Sequence, residues 1–217
     1  MTKKAVIFDL DGTLTNTLQS IWKSANLALA DVGLPTFEVD RYRYFVGDGV
    51  DELVRRALMA NGDKELVYFE QVRERYLYYF EKYVNYEVKP YDGICELLAA
   101  LKERGILMAV NSNKPHERTV EVVEEIFGKG TFDMLVGQCE ERARKPAPDG
   151  VLHIMDKLRL TPDEVVYLGD TCVDMQTGKS AGVYTIGALW GFRDRQELEE
   201  NHADAIIEHP MEVLDYI

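Results

Sequence analysis

The chain has 217 residues and a mass of 24.8 kDa, more than one average domain of about 150 residues and less than two, which suits a core domain carrying an insertion. With 46% apolar and 29% charged residues, the composition is that of an ordinary globular protein and excludes collagen-like repeats, a disordered chain and a disulfide scaffold. Lys and Arg number 25 against 38 Asp and Glu, so the net charge is 25 − 38 = −13; such a surface repels a nucleic-acid backbone and is better matched to acidic metal sites.

The first predicted element is the continuous apolar run Ala5-Val6-Ile7-Phe8, of the kind found in strands buried on both faces of a parallel sheet. It breaks at Asp9 after four residues, too short for a signal-peptide core. Nothing later approaches the roughly 18 to 20 apolar residues that span a bilayer, so no membrane partner is expected. Residues 16–85 then read as helical. Leu18, Ile21, Trp22, Ala25 and Leu29 recur at helical spacing, and Leu66, Phe69, Val72, Tyr76, Phe80 and Tyr83 form a second stripe, rich in tyrosine, whose expected use is helix packing.

From residue 86 the pattern alternates. Ile94, Leu97, Leu98 and Leu101 predict a helix, Ile106–Val110 a strand, and Pro115 a first-turn proline ahead of Val120, Val123 and Phe127. Strand-like runs follow at Met134–Val136, Val165–Leu168, Val183–Ile186 and Ala205–Ile207, with a helix opened by Pro148 and containing Leu152, Met155 and Leu158. Strand–helix alternation predicts a doubly wound, parallel-sheet α/β core. The expected organisation is a core of residues 1–15 and 86–217 interrupted by a helical domain of residues 16–85, with segments near Asn16 and Pro90 as hinges.

Polar residues gather where these strands end. Asp9 and Asp11 follow the first run, and a spacing of two puts both carboxylates on one face of a strand. Ligands of open α/β sheets bind outside the carboxyl ends of the strands. Gly12 permits a tight turn, and Thr13 offers a hydroxyl and an N–H; alone, the segment is equally a turn with an aspartate cap. It also resembles the start of a calcium loop, but Ser20 stands where that loop needs glutamate. Val110-Asn111-Ser112-Asn113-Lys114 can bind an anion near a helix N-terminus or simply cap that helix. Arg144-Lys145-Pro146-Ala147-Pro148-Asp149 holds Lys145 between stiffening prolines, and Leu168-Gly169-Asp170-Thr171-Cys172-Val173-Asp174 adds two more carboxylates.

DLDGT, a strand-end serine, KPAPD and GDTCVD, in that order over nearly the whole chain, resemble the haloacid dehalogenase-like phosphohydrolase superfamily. The resemblance implies a Rossmann-like core with a helical cap inserted at residues 16–85. It implies that Asp9 is the nucleophile, Asp11 the general acid and base, Ser112 a phosphate ligand and Lys145 the charge stabiliser. Mg2+ would be held by the Asp9 carboxylate, the Asp11 carbonyl and Asp170, with Asp174 as a further acidic position. Dehalogenases proper lack the second aspartate, so Asp11 favours phosphoryl chemistry. Thr13, Ser112, Asn113 and Lys145 are the expected phosphate-binding residues of the core.

The segment Phe45–Leu58 resembles the cap of phosphoglycolate phosphatases. Gly47, Asp48 and Gly49 would bring loop backbone close to a ligand, and Arg56 would pair with a substrate carboxylate or form a surface ion pair; Arg41, Arg43 and Arg55 have weaker claims. Asn16 departs from the aspartate of many relatives, and Cys172 reads as filler, since nearby carboxylates disfavour a thiolate. Three cysteines, Cys95, Cys139 and Cys172, with no CxxC pair, point to a reduced, cytoplasmic protein. The leading expectation is a Mg2+-dependent phosphatase that hydrolyses a small phosphomonoester through an aspartyl-phosphate, with 2-phosphoglycolate as the expected substrate. A sugar phosphomutase, a pyrophosphatase or nucleotidase, and a phospho-acceptor receiver domain are the alternatives. Receivers are shorter and keep their acid pair before the acceptor strand, so Asp11 and the insert count against that last reading.

Overall fold

A computed structural model describes residues 2–217. The chain forms two compact units, one running to Asn16 and resuming over Pro90–Ile217, the other comprising Thr17–Lys89.

Strand β1 (Ala5–Phe8) is buried along its whole length, as its unbroken apolar sequence requires. The chain leaves the first unit through β2 (Thr15–Asn16). Within the helical unit, α1 (Leu18–Asp31) and α3 (Phe69–Tyr83) pack together, with α2 (Val50–Ala60) also against α3. Their buried residues fall at helical spacing: Ile21, Ala25, Ala28 and Leu29 on α1, Val72, Tyr76 and Phe80 on α3. Tyr76 of the stripe stacks on Phe80 inside, whereas Tyr78 and Tyr79, which are not part of it, lie under the Arg75 guanidinium. Leu66, predicted as the first residue of the stripe, lies before the helix in a left-handed conformation, φ 56°. The Asp63 carboxylate accepts from the Val67 and Tyr68 N–H groups and so holds a turn there, which delays the helix to Phe69.

After β3 (Lys89–Pro90) the α/β unit resumes with α4 (Ile94–Glu103), β4 (Leu107–Pro115), α5 (His116–Phe127), β5 (Met134–Gln138), α6 (Asp149–Leu158), β6 (Val165–Gly169), α7 (Cys172–Ala181), β7 (Tyr184–Ala188), α8 (Arg195–Glu200) and β8 (Ala205–Ile207). Six strands make one parallel sheet in the order β5-β4-β1-β6-β7-β8. The core on one face joins Ala5, Ile7, Ala109 and Tyr167 of the strands to Val151 and Ile154 of α6. Each large aliphatic side chain fully buried in this way contributes about 1.5–3 kcal/mol.

Strand β4 continues past its predicted end at Val110. Pairing with β5 shifts register after Asn111 and resumes at Pro115 opposite Gln138. Pro115 is therefore the last strand residue and precedes the helix, instead of occupying its first turn. Phe8 pairs with Val110 on one side and Leu168 on the other, so the ends of β1, β4 and β6 lie side by side at the sheet's carboxyl edge. The chain passes first to one flank of β1 and later to the other, and such a switch point opens a crevice at this edge.

Candidate active site

Three of the predicted motifs leave these adjacent strands, and the fourth sits on the turn before α6. Asp9 follows β1 with its backbone N–H donating to the Leu168 carbonyl at 2.9 Å, which extends the β1–β6 ladder by one residue. The Lys145 ammonium lies 2.7 Å from Asp9 Oδ1 and 2.7 Å from Asp174 Oδ1. All three side chains are less than a tenth exposed. Carboxylate oxygens of Asp9, Asp170 and Asp174 all lie within 4.8 Å of one another.

Each member is held by further contacts. Asp170 accepts from the Thr13 hydroxyl at 3.1 Å and from the Phe192 N–H at 2.7 Å. Asp174 Oδ2 accepts from the Thr171 hydroxyl (2.8 Å), the Thr171 N–H (3.1 Å) and the Asp170 N–H (3.3 Å), so Thr171 and Asp174 form a reciprocal cap on α7. Its Oδ1 takes Lys145 and, at 3.3 Å, the Tyr167 hydroxyl. Asn113 grips the turn bearing Lys145 from both sides: its Oδ1 accepts from the Lys145 N–H at 2.9 Å, and its amide donates to the Lys145 carbonyl at 3.2 Å. The peptide bond from Lys145 to Pro146 is cis.

Electrostatics follow from three buried carboxylates facing one ammonium. Burial, reinforced by Asp174, pushes the Asp9 carboxyl up to about 7 against the pull of Lys145. Burial with the Asp174 and Asp9 charges holds Asp170 well above the usual carboxylate range. Burial works against the Lys145 charge, but Asp174 and Asp9 outweigh it and keep the ammonium well above the ordinary lysine range. A cluster of oxygen donors with surplus negative charge suits a hard divalent cation.

The other predicted residues are placed as follows. Asp11 turns its carboxylate out of the cluster, to the Lys114 ammonium at 2.8 Å. Ser112 is buried beside Lys114, whose N–H donates to the serine oxygen at 3.1 Å. Gly12 has φ 95°, and a Cβ there would come within 2.3 Å of Asp170 Oδ2; only glycine fits. In the helical unit Gly47 and Gly49 take positive φ of 113° and 87°. Arg56 is turned inward within that unit, pairing with Asp48 and donating to the Phe45 carbonyl at 3.2 Å and the Val46 carbonyl at 3.4 Å. Asn16 is exposed.

Several contributors escape sequence reading. Tyr167 sits inside an apolar strand run, where its hydroxyl gives no periodic signal. Trp190 donates its indole N–H to the Thr13 carbonyl at 2.9 Å, and Gly191 approaches so near Asp170 that an added Cβ would lie 2.3 Å from that residue's own Cβ. Trp190 and Gly191 lie 16 and 17 positions beyond Asp174, the end of the last motif, and only the parallel pairing of β6 with β7 returns them to it. Lys114 was visible as a charge ending a polar run, without indication of its partner.

This arrangement can be set against known proteins. Residues 6–188 match the haloacid dehalogenase-like hydrolase family. The chain belongs to that family. A phosphoglycolate phosphatase of Aquifex aeolicus is 35% identical over 87% of this chain and 86% of its own. An N-acetylmuramic acid 6-phosphate phosphatase of Pseudomonas aeruginosa is 30% identical over 100% of this chain and 96% of its own. A crystal structure from Lactobacillus delbrueckii subsp. bulgaricus, whose protein carries a provisional phosphoglycolate phosphatase name, superposes with a TM-score of 0.93 at 31% identity, covering 100% of this chain and 99% of that one. The chain is thus a haloacid dehalogenase-like phosphatase of the phosphoglycolate phosphatase-like type, with the Rossmann-like core and helical insert that the motifs imply.

Proposed function

We propose that this haloacid dehalogenase-like phosphatase hydrolyses a small phosphomonoester, 2-phosphoglycolate foremost, with Mg2+ and through an aspartyl-phosphate at Asp9. The observation that carries the reading is the Lys145 ammonium held at 2.7 Å between Asp9 and Asp174 at the end of β1. A carboxylate nucleophile needs no base, but it must meet a phosphate that carries the same sign of charge. Asp9, Asp170 and the Asp11 carbonyl, with Asp174, would hold Mg2+, which would supply positive charge to the phosphoryl oxygens. Lys145 adds its own charge on the other side, and Ser112 offers a hydroxyl to the same oxygens.

Asp9 attacks phosphorus while the bond to the leaving oxygen breaks, and Asp11 delivers a proton to that oxygen. Asp11, now ionised, takes a proton from the water that attacks the aspartyl-phosphate, releasing phosphate and restoring Asp9. Asp174, whose two oxygens already receive Lys145, Tyr167 and the α7 cap, acts chiefly by aiming Lys145. Thr13 and Asn113 serve as supports of Asp170 and of the Lys145 turn.

The substrate assignment rests on the relatives' names and on the Phe45–Leu58 resemblance. Both named substrates carry a carboxylate as well as a phosphate, so the second reading is a sugar-acid phosphate. The positive-φ glycines, with Arg56 bracing Asp48 and the Phe45–Val46 carbonyls, make the loop before α2 the part of the helical unit to probe for selectivity. Reduced thiols at Cys95, Cys139 and Cys172 fit a cytoplasmic enzyme.

The test is phosphate release from 2-phosphoglycolate, N-acetylmuramic acid 6-phosphate, pyrophosphate, sugar phosphates and nucleotides, with and without Mg2+. Asp9→Asn should abolish release and leave the fold intact; near-normal turnover by that variant would sink the mechanism. Interconversion of sugar phosphates without phosphate release would point to the mutase alternative.

A further inference from the structure

The ammonium of Lys114 has no part in the chemistry described so far, yet it is among the most enclosed charges in the molecule. Its side chain is 3% exposed, and Nζ lies 2.8 Å from Asp11 Oδ1. Burying a lysine costs several kcal/mol unless a partner offsets it. The contact joins two strand ends far apart in sequence, since Asp11 follows β1 and Lys114 lies near the end of β4.

The local backbone accounts for the aim. Side chains two apart on an extended strand share a face. Asn111 and Asn113 reach one way, to the Tyr167 hydroxyl and to the Lys145 backbone. Ser112 and Lys114 take the alternate positions, and the Lys114 N–H bonded to the Ser112 oxygen fixes the turn between them. The register shift that follows Asn111 carries this segment beyond regular pairing and towards the DLDGT turn.

One oxygen of Asp11 is thereby anchored. Among the described residues no donor reaches the other, Oδ2, and the side chain retains 21% exposure. We infer that Lys114 is a positioning residue for Asp11: by occupying Oδ1 with a charged donor, it leaves Oδ2 as the atom that carries and exchanges the catalytic proton. The inference rests on the proposed role of Asp11 as general acid and base. In the first step the proton on Oδ2 passes to the leaving oxygen as its bond to phosphorus breaks and the bond from Asp9 forms. In the second, the same oxygen accepts a proton from the attacking water. Lys114 keeps its own protons throughout.

Leaving groups distinguish this role from a merely structural one. An alkyl ester such as 2-phosphoglycolate departs as a strongly basic alkoxide and needs the proton; p-nitrophenyl phosphate departs as a stable phenolate and needs little help. General acids contribute about 10²–10⁴ in rate, so in single-turnover release of the leaving group, which reads the first step alone, Lys114→Met should slow the alkyl ester of highest turnover by about 10²-fold and p-nitrophenyl phosphate by less than about threefold. In an Asp11→Asn background, Lys114→Met should have no further effect on the alkyl ester. Lys114→Gln, which keeps a donor but shortens its reach and removes its charge, should lose less than the methionine variant on the alkyl ester and serves as the test if that variant does not fold. Equal losses of first-step rate on both esters, or full additivity with Asp11→Asn, would overturn the inference. If Asp9→Asn also retained turnover, the proposed mechanism itself would fall; if Asp9 stayed essential while the esters lost first-step rate equally, only the role of Lys114 would.

Discussion

The two units use charge in different ways. In the helical unit, ion pairs lie at the surface: Arg73 with Asp51 and Arg55 with Glu52 keep roughly two fifths of each side chain in solvent. In the α/β unit, Lys145, Asp9 and Asp174 are enclosed and share their partners, so each holds the others' charge in place. A surface pair gains about 0–1 kcal/mol, whereas breaking one partner out of a buried set costs about 3–5 kcal/mol. The helical unit can therefore change its charged residues at little cost to stability, while the sheet edge cannot.

The sharpest way to break this contrast is Lys145→Met. It leaves Asp9 and Asp174 buried without their ammonium, and about 3 kcal/mol of stability should be lost at pH 8, measured by urea unfolding in chelator, together with turnover. The loss should shrink towards pH 6, where Asp9 can take a proton. Asp9→Asn should move the other way. Because the Asp9 carboxyl is raised to about 7 from an ordinary 3.8, its contribution to stability is full below 3.8 and is lost as pH rises through 7. Relative to the parent, metal-free Asp9→Asn should become more stable between pH 4 and pH 8, and melting curves across that range decide it.

Gly12→Ala tests whether the cluster tolerates movement. The new Cβ meets Asp170 and Phe192 at a positive φ, so a loss of about 1–3 kcal/mol is expected, with weaker metal binding by calorimetry. Arg73→Ala, in the helical unit, should cost less than about 1 kcal/mol and leave kcat unchanged. The smallest effect belongs to Glu164, whose carboxyl is lowered to about 2 by the Lys4 ammonium and by the Thr161 backbone and hydroxyl. A lowered carboxyl adds stability above its ordinary 4.5 and loses it as pH falls towards 2. Glu164→Gln should thus flatten the acid side of the stability profile between pH 4.5 and pH 2 and leave pH 7 turnover alone.

Sequence alone determined where the buried strands β1 and β6 run and which carboxylates follow them. Unbroken apolar runs at Ala5–Phe8 and Val165–Leu168 can be stable only when covered on both faces, and carboxylates placed immediately after them can lie only at the sheet's carboxyl edge. The family motifs single out Asp9, Asp11, Lys145 and Asp170 by order and spacing alone. Partnership was decided by the tertiary structure. Lys114 meets Asp11 across 103 positions, Lys145 meets Asp9 across 136, and Trp190 meets Thr13 across 177. Arg56, for which the sequence left open a substrate carboxylate or an ion pair, pairs with Asp48 and donates to two carbonyls of the preceding loop. Periodicity reports which face of an element is buried, but a charge is committed only when folding removes water and brings a specific counter-charge within about 3 Å, a choice set by strand order and register.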